Sequence, residues 1–300
     1  ANAFMEAATF EIDGAIESAT RSLAIGLFGD GGGSIGRIDT TVAGTTLTLN
    51  TAQDITNFEV GMQIDFYTAA TGGTVRAGGP LTIDSVNRDA GSMVVSANLN
   101  TITSITALDF IVPEGDYDLK VSGLKAWIPS TAPTSGDSFF SVDRSADSTR
   151  LAGIRFDASS LPLEEGLIGA AARAAREGGK PDVCFVNYNN FADLEKALGS
   201  KVSYIDQKVN PEIGFRGILI HGPRGPIKVI PDQNCPNNVA FLLQLDVWKL
   251  YSLGKSPKIL DSDGLKFLRE STADAVEVRV GYYAQLGCRG PGYNVRVALS

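Results

Sequence analysis

The sequence has a single histidine, His221, and three cysteines with no CxxC pair among them. Those two scarcities close most routes to chemistry. A Ser-His-Asp site would have to recruit His221. Cys184, Cys235 and Cys288 stand about fifty residues apart, whereas a zinc site or a disulfide framework needs paired or closely spaced ligands. Buried free thiols are therefore expected. Long apolar runs are also missing: the best candidate, residues 239–245, is cut by Gln244 and Asp246, far short of the roughly 18 residues that cross a bilayer. No membrane contact is expected. There is no basic excess either. With 26 Lys and Arg against 34 Asp and Glu, the formal charge is −8, which disfavours tight binding to a nucleic-acid backbone or an anionic membrane. The first eleven residues lack a basic n-region and contain Glu6 and Glu11, so they read as neither signal nor transit peptide, and an intracellular chain is expected.

What is present suits a folded structure. At 300 residues and 43% hydrophobic content the chain can bury the core of one large or two ordinary domains. Phe4, Ala8, Ile12, Ala15, Ile16, Ala19, Leu23 and Leu27 recur at three- and four-residue steps, with Glu6, Asp13, Glu17 and Arg21 on the other face. This spacing predicts one amphipathic helix of about 26 residues, roughly 39 Å long. Gly29, Asp30 and the glycines at 31–33 end it. Asn2 is the one cap candidate near its start, so the helix is expected to have lost residues upstream by processing or truncation.

From residue 35 to 128 the texture changes to Thr, Val, Gly and Asn. TTLTLN at 45–50, MQIDF at 62–66, LTIDSV at 81–86, MVVS at 93–96 and LKVS at 119–122 alternate between regularly spaced turns. Five to seven short strands in a small barrel or sandwich with its own core are expected. Pro129, Pro133 and Gly136 form a linker. Next comes a helix from Ser160, with a hydroxyl cap, Glu164 and Glu165 at its positive end and Arg173 and Arg176 near its other end. A strand at 183–186, a helix at 191–198 closed by Gly199, and strands at 217–220, 227–230 and 240–245 follow. Two alternating segments, 275–283 and 293–299, are joined across Gly290-Pro-Gly292 and predict a long sheet with one sheltered face.

Several motif coincidences fail on context. Residues 31–36 match GxGxxG, but the nucleotide fingerprint needs a strand before it and a helix after. They also match GxSxG at Ser34, whose only possible base, His221, is about 190 residues away. A glycine hinge is the better reading, with His221 in a turn. Asp261-Ser-Asp263-Gly264 lacks a calcium loop's third ligand before Gly, and its twelfth residue is Thr272 rather than Glu. It is expected to cap a helix over 265–270. Glu164 and Glu165 point about 100° apart on a helix and cannot flank one bond, so they serve the dipole. No catalytic, cofactor-binding or metal-binding residue emerges.

The order of these parts closely resembles the major capsid proteins of tailed double-stranded DNA bacteriophages, which have the Hong Kong 97-type fold. Gly29-Asp-Gly-Gly-Gly-Ser-Ile-Gly36 resembles the family's turn after its spine helix. VNYNNFADLEKALG, GFRGILIHGPRGPIKVIPD and AFLLQLDVWKLYSLG resemble segments of its axial domain, and DAVEVRVGYYAQLGCRGPGYNVRVAL its terminal strands. The likeness spans residues 1–35 and 125–300, about 70% of the chain. It implies an α+β fold: a spine helix (1–34), an inserted small all-β domain (35–128), an axial α/β domain (129–274) and terminal strands returning to the peripheral domain (275–300). The family's amino-terminal arm and extended loop, which precede its spine helix, are expected to lie in residues missing upstream. The implied role is non-enzymatic: assembly of an icosahedral shell around the phage genome, through many weak symmetric contacts. The implied partners are other copies of the chain in hexamers and pentamers, with portal, scaffold and decoration proteins, and only non-specific contact with packaged DNA. The site would be the virion capsid, assembled in the host cytoplasm. No cofactor is implied. The alternative is a carbohydrate- or receptor-binding virion module using the β-rich segment.

Overall fold

A computed structural model of the protein describes residues 2–40, 43–198, 204–207, 215–254, 257–260, 264, 268–269 and 276–299. Helix α1, Asn2–Phe28, ends as Gly29 donates its N–H to the Gly26 carbonyl at 3.0 Å. Gly31 and Gly33 then take φ of +95° and +81°, a region that glycine enters without a Cβ penalty. A Cβ on Gly32 would lie 1.7 Å from the Ala70 carbonyl oxygen, so close backbone approach also requires glycine there. Gly14 is the opposite case. It sits inside the helix with open space where a Cβ would go, so Gly14→Ala is expected to stabilise the chain by about 0.5–1 kcal/mol, read as a higher thermal midpoint. A fall in the midpoint would refute it.

Six short strands follow: β1 (Gly36–Arg37), β2 (Thr46–Thr48), β3 (Gln63–Tyr67), β4 (Leu81–Asn87), β5 (Ser92–Val95) and β6 (Phe110–Pro113). They form one sheet in the order β1-β6-β3-β4-β5-β2, antiparallel at each pairing. An antiparallel bridge between Ile38 and Leu49 joins its two ends, flanked by hydrogen bonds of 2.9 Å from Asp39 N–H to the Thr48 carbonyl and from Asn50 N–H to the Arg37 carbonyl. The sheet is thus a closed barrel, which removes exposed edges. Alternation fills it: Ile64 and Phe66, Leu81 and Ile83, Met93 and Val95 point inward and pack with Leu47, Phe58 and Ile111.

Two strand assignments change. LKVS at 119–122 is not a strand; Leu119 is 78% exposed, and Lys120 N–H instead bonds the Gly31 carbonyl at 3.2 Å. That contact, with Asp118 N–H on the Gly32 carbonyl at 3.3 Å, returns the chain to the point where it left α1. Strand β6 has Ile111 and Val112 both fully buried, so its sequence shows no alternation.

A single helical turn, α2 (Leu124–Trp127), abuts the end of α1 so closely that a Cβ on Gly123 would lie 2.3 Å from the carbonyl oxygens of Gly26 and Leu27. A small hairpin, β7 (Ser138–Phe139) and β8 (Val142–Asp143), sets Phe139 edge-on to Trp127, ring centres 5.0 Å apart. Then come β9 (Ile154–Asp157), α3 (Leu163–Arg176), β10 (Val183–Val186), α4 (Tyr188–Leu198), β11 (Tyr204–Gln207), β12 (Phe215–Gly222), β13 (Gly225–Pro231) and β14 (Val239–Leu243).

Helix α3 has the acidic first turn and basic last turn the sequence predicts, but Ser160 does not cap it; Pro162 occupies the cap position without a side-chain bond. Helix α4 begins at Tyr188 rather than Phe191 because the Asn187 side chain accepts from Asn189 N–H at 3.1 Å, an Asx-type start. Gly199 lies outside the described residues.

The chain leaves this sheet as a ribbon: β15 (Trp248–Ser252) pairs with β20 (Ala284–Cys288), β16 (Lys258–Ile259) with β19 (Val280–Gly281), and β17 (Leu268–Arg269) with β18 (Val276–Glu277), all antiparallel. Strand β19 runs beside α1. The last strand, β21 (Val295–Ala298), re-enters the sheet, whose order is β11-β12-β13-β10-β14-β21-β9. The two terminal alternating segments therefore do not pair with each other. Val295 and Val297 are fully buried under the helices, while the first segment pairs within the ribbon. Most of the helix expected over 265–270 lies outside the described residues, and the two described there, Leu268 and Arg269, are strand.

Both faces of the seven-stranded sheet are covered. Leu167, Ala170, Ala171 and Ala174 of α3, with Leu194 of α4, pack on Val186, Leu242 and Val297. Phe241 and Leu243 point the other way, onto Phe28, Leu124 and Ile128. Burial on both sides explains the unbroken apolar run of β14.

Candidate assembly surface

The residues that might have suggested chemistry are engaged in structure. The Ser34 hydroxyl donates to the Gly36 carbonyl at 3.0 Å, next to the two left-handed glycines. His221 is exposed on β12 opposite Pro226, in a strand rather than the expected turn, and no hydrogen bond joins it to Ser34. Glu164 and Glu165 occupy the first turn of α3. Asp261, Asp263 and Thr272 lie outside the described residues. All three cysteines are free thiols. Cys184 and Cys235 are buried as expected, whereas Cys288 is only partly so; burial pushes the Cys184 and Cys235 thiols well up and that of Cys288 up to about 12, which disfavours the thiolate. Among the described residues no helix is long and apolar enough to cross a membrane, and no three acidic, His or Cys side chains converge as metal ligands.

The informative surface is apolar. On α1, Ile12, Ile16 and Leu23 are only half-buried and Phe10 is 79% exposed; between Phe10 and the helix end, full burial is reached at Gly26 and Phe28. Beside it the ribbon turns Leu250, Tyr251, Leu253 and Tyr283 outward, Leu253 being 86% exposed. Between helix and ribbon runs an open groove of about 740 Å³, bordered by Ala19, Leu23, Leu119, Tyr251, Leu253 and Tyr283. Contiguous exposed apolar surface of this kind marks an interaction site. The unpaired long edges of a two-stranded ribbon add backbone groups that another strand can satisfy. At the root of the ribbon, Asn294 is fully buried. Its Oδ1 accepts from Gln244 N–H and from Trp248 Nε1, each at 2.9 Å, and its Nδ2 donates to the Gly290 carbonyl at 2.9 Å. This residue fixes where ribbon and sheet part. Sequence reasoning missed it, since one Asn among many carries no pattern.

The described residues thus form a barrel, an α/β unit and an apolar flank along a long helix. The model of the SU10 major capsid protein family matches residues 101–270, more than half of the chain, and the protein belongs to that family: it is a phage major capsid protein, with a structural role in the virion. Among solved structures, a chain of the cyanophage A-1(L) capsid asymmetric unit is similar at 14% identity and a TM-score of 0.42, over 60% of this chain and 59% of that one. This chain thus spans about three-fifths of that capsid chain. No curated protein matches the sequence.

Proposed function

We propose that the protein assembles with copies of itself, as hexamers and pentamers, into an icosahedral shell enclosing double-stranded DNA, and that its architecture is Hong Kong 97-like. In this reading α1 is the spine, the ribbon beside it belongs to the peripheral domain, and the seven-stranded sheet is the axial domain. The barrel is an insertion carried on the outer surface. The observation that carries the reading is the uncovered apolar flank of α1 and the ribbon, which in a closed shell would be buried between neighbours. Individually weak contacts suffice there because symmetry repeats them. The net negative charge suits DNA that is confined rather than gripped. Portal, scaffold and decoration proteins are the proposed further partners, the host cytoplasm the place of assembly, and no catalysis is assigned.

The alternative of a carbohydrate- or receptor-binding module finds no comparable support: the large apolar residues most exposed on the barrel are Val60, Val75 and Leu108, all aliphatic. The test is expression of the complete gene product with its scaffold and portal, followed by sedimentation and electron microscopy. Closed particles are expected from the unaltered protein, and Leu253→Asp with Tyr283→Asp should leave folded subunits that fail to close. Closed particles from the double variant would remove the role given to this flank. A complete protein that never assembles would sink the shell reading.

A further inference from the structure

At one end of the seven-stranded sheet bases outnumber acids, although the chain as a whole carries a formal charge of −8. Strands β10, β13, β21 and β9 begin at this end and β14 finishes there, since Val183 lies opposite Lys228 and Leu243, and Val295 opposite Leu242 and Ile154. The loops here are packed together. A Cβ on Gly290 would lie 2.7 Å from the Tyr293 ring, one on Gly292 2.9 Å from Arg150 Cα, and one on Gly225 3.6 Å from Lys180 Cε. Arg224 Nη1 donates to the Gly178 carbonyl, and Arg289 N–H bonds the Val247 carbonyl at 2.9 Å. Following the strand order β13-β10-β14-β21-β9, Arg224, Lys180, Arg289 and Arg150 stand in a row across the sheet end, roughly 19 Å long at about 4.8 Å per strand. All four residues are exposed. Among the described residues no carboxylate pairs with Lys180, Arg224 or Arg289, and Arg150 Nε is 3.9 Å from Asp147 Oδ2. The acids at this end are mostly engaged: Asp147 Oδ1 accepts from Arg150 N–H and Asp182 Oδ1 from Leu245 N–H, each at 2.9 Å, and Glu177 pairs with Arg173. Asp246 is left exposed.

We infer that this basic row is where the chain touches the phosphate backbone of the enclosed double-stranded DNA. The inference rests on the shell reading for the source of the DNA and on the row itself for the chemistry. A single carboxylate or phosphate calls for donors that converge on one point. Here the cations are spread along a line on an open surface, which suits a polyanion with charges at regular intervals. Each strand of a duplex presents a phosphate about every 3.4 Å along the axis, so the row spans about five or six of them. Arg and Lys side chains that reach phosphates read no sequence, as a wall around any packaged sequence requires. The competing partner is an acidic stretch of a neighbouring copy, and α1 offers one in the exposed Glu11, Asp13 and Glu17. Those three cover only about 9 Å of helix at 1.5 Å per residue, about half of the row. The overall charge of −8 opposes binding. The contact is therefore weak and steeply dependent on salt, and its effect comes from repetition over many subunits.

Titration of the full, unassembled chain with an arbitrary duplex of about 30 base pairs tests this without requiring a shell. With about four phosphates neutralised, log K should fall against log salt with a slope near −3.6, on the order of a hundredfold between about 50 and 200 mM. Arg150→Gln, Lys180→Gln and Arg289→Gln together should flatten the slope by about 2.7 and leave the thermal midpoint where it was. A control with the same change in net charge elsewhere, Arg88→Gln, Lys196→Gln and Lys258→Gln, should keep the slope. No binding at about 20 mM salt with duplex up to about 1 mM overturns the inference, as does a control that flattens the slope as much as the triple variant. Polyglutamate that binds as tightly as the duplex would give the row to an acidic segment of a neighbour, which overturns it too. Sedimentation reads shell assembly separately. Shells without duplex binding remove this contact alone, and duplex binding without shells removes the shell reading alone.

Discussion

Phe241→Ala is expected to cost about 3–5 kcal/mol and to release helix α1 from the sheet. Phe241 is fully buried and lies opposite Phe185 on β10. The Phe28 ring sits 6.2 Å from Phe241 and 5.9 Å, edge-on, from Phe185. Phe28 is the last residue of α1, so these three rings are where the helix is anchored. Removing the central ring leaves a cavity that the rigid strands cannot close, and Phe28 loses the partner that holds it. Leu242→Ala, one residue along, empties space on the opposite face under α3 and α4, at a cost of about 2–5 kcal/mol, and should leave α1 in place. Denaturant unfolding measures both costs, and limited proteolysis around residues 27–33 separates them. Cleavage there should accelerate only in Phe241→Ala. Equal acceleration in both, or a cost for Phe241→Ala under about 1 kcal/mol, would show that the helix is anchored elsewhere.

That anchor marks where sequence reading stops being sufficient. Elements governed by local rules were legible. Helix α3 declared itself through Glu164, Glu165, Arg173 and Arg176, strand β10 through a short apolar run, and the end of α1 through its glycines. Strand β6 was not legible, because both of its faces are covered and its pattern has no period. Partner choice was not legible either. Alternation at 275–283 and 293–299 says that one face of each segment is sheltered, but it does not say by what; α3 takes Val295 and Val297, whereas the ribbon lies along α1. The exposed apolar flank shows the same limit. Leu253 and Tyr283 look in sequence like any core residue, and only the positions of their neighbours reveal that nothing within the described residues covers them. The motif coincidences at 31–36 could be weighed in the sequence alone, because each turns on the elements before and after it, and α1 before the turn is indeed a helix rather than a strand.

Within the barrel, Arg76→Met is expected to cost about 3–5 kcal/mol. Arg76 grips Asp109 with both arms of its guanidinium, Nε to Oδ2 at 2.8 Å and Nη2 to Oδ1 at 2.9 Å, and the Asp109 side chain is only 5% exposed. Each carboxylate oxygen takes one further bond from Thr106, from N–H at 2.8 Å and from the hydroxyl at 2.9 Å, so Asp109 also shapes the turn that leads into β6. Methionine keeps much of the arginine's apolar length but leaves a buried carboxylate facing two neutral donors, and an uncompensated buried charge is what makes such a deletion expensive. Adding Asp109→Asn removes the charge while keeping an acceptor for Thr106. The double variant should therefore be more stable than Arg76→Met alone, with a coupling above about 1.5 kcal/mol. The chain's two tryptophans, Trp127 and Trp248, both lie outside the barrel, so their fluorescence follows the sheet unit while far-ultraviolet circular dichroism follows the whole chain. If the barrel folds on its own core, Arg76→Met will add an early dichroism step and leave the tryptophan midpoint where it was. A tryptophan midpoint that moves in step with the dichroism would mean that barrel and sheet unfold as one body. A loss under about 1 kcal/mol in Arg76→Met would mean that Thr106 alone is enough to hold the buried carboxylate.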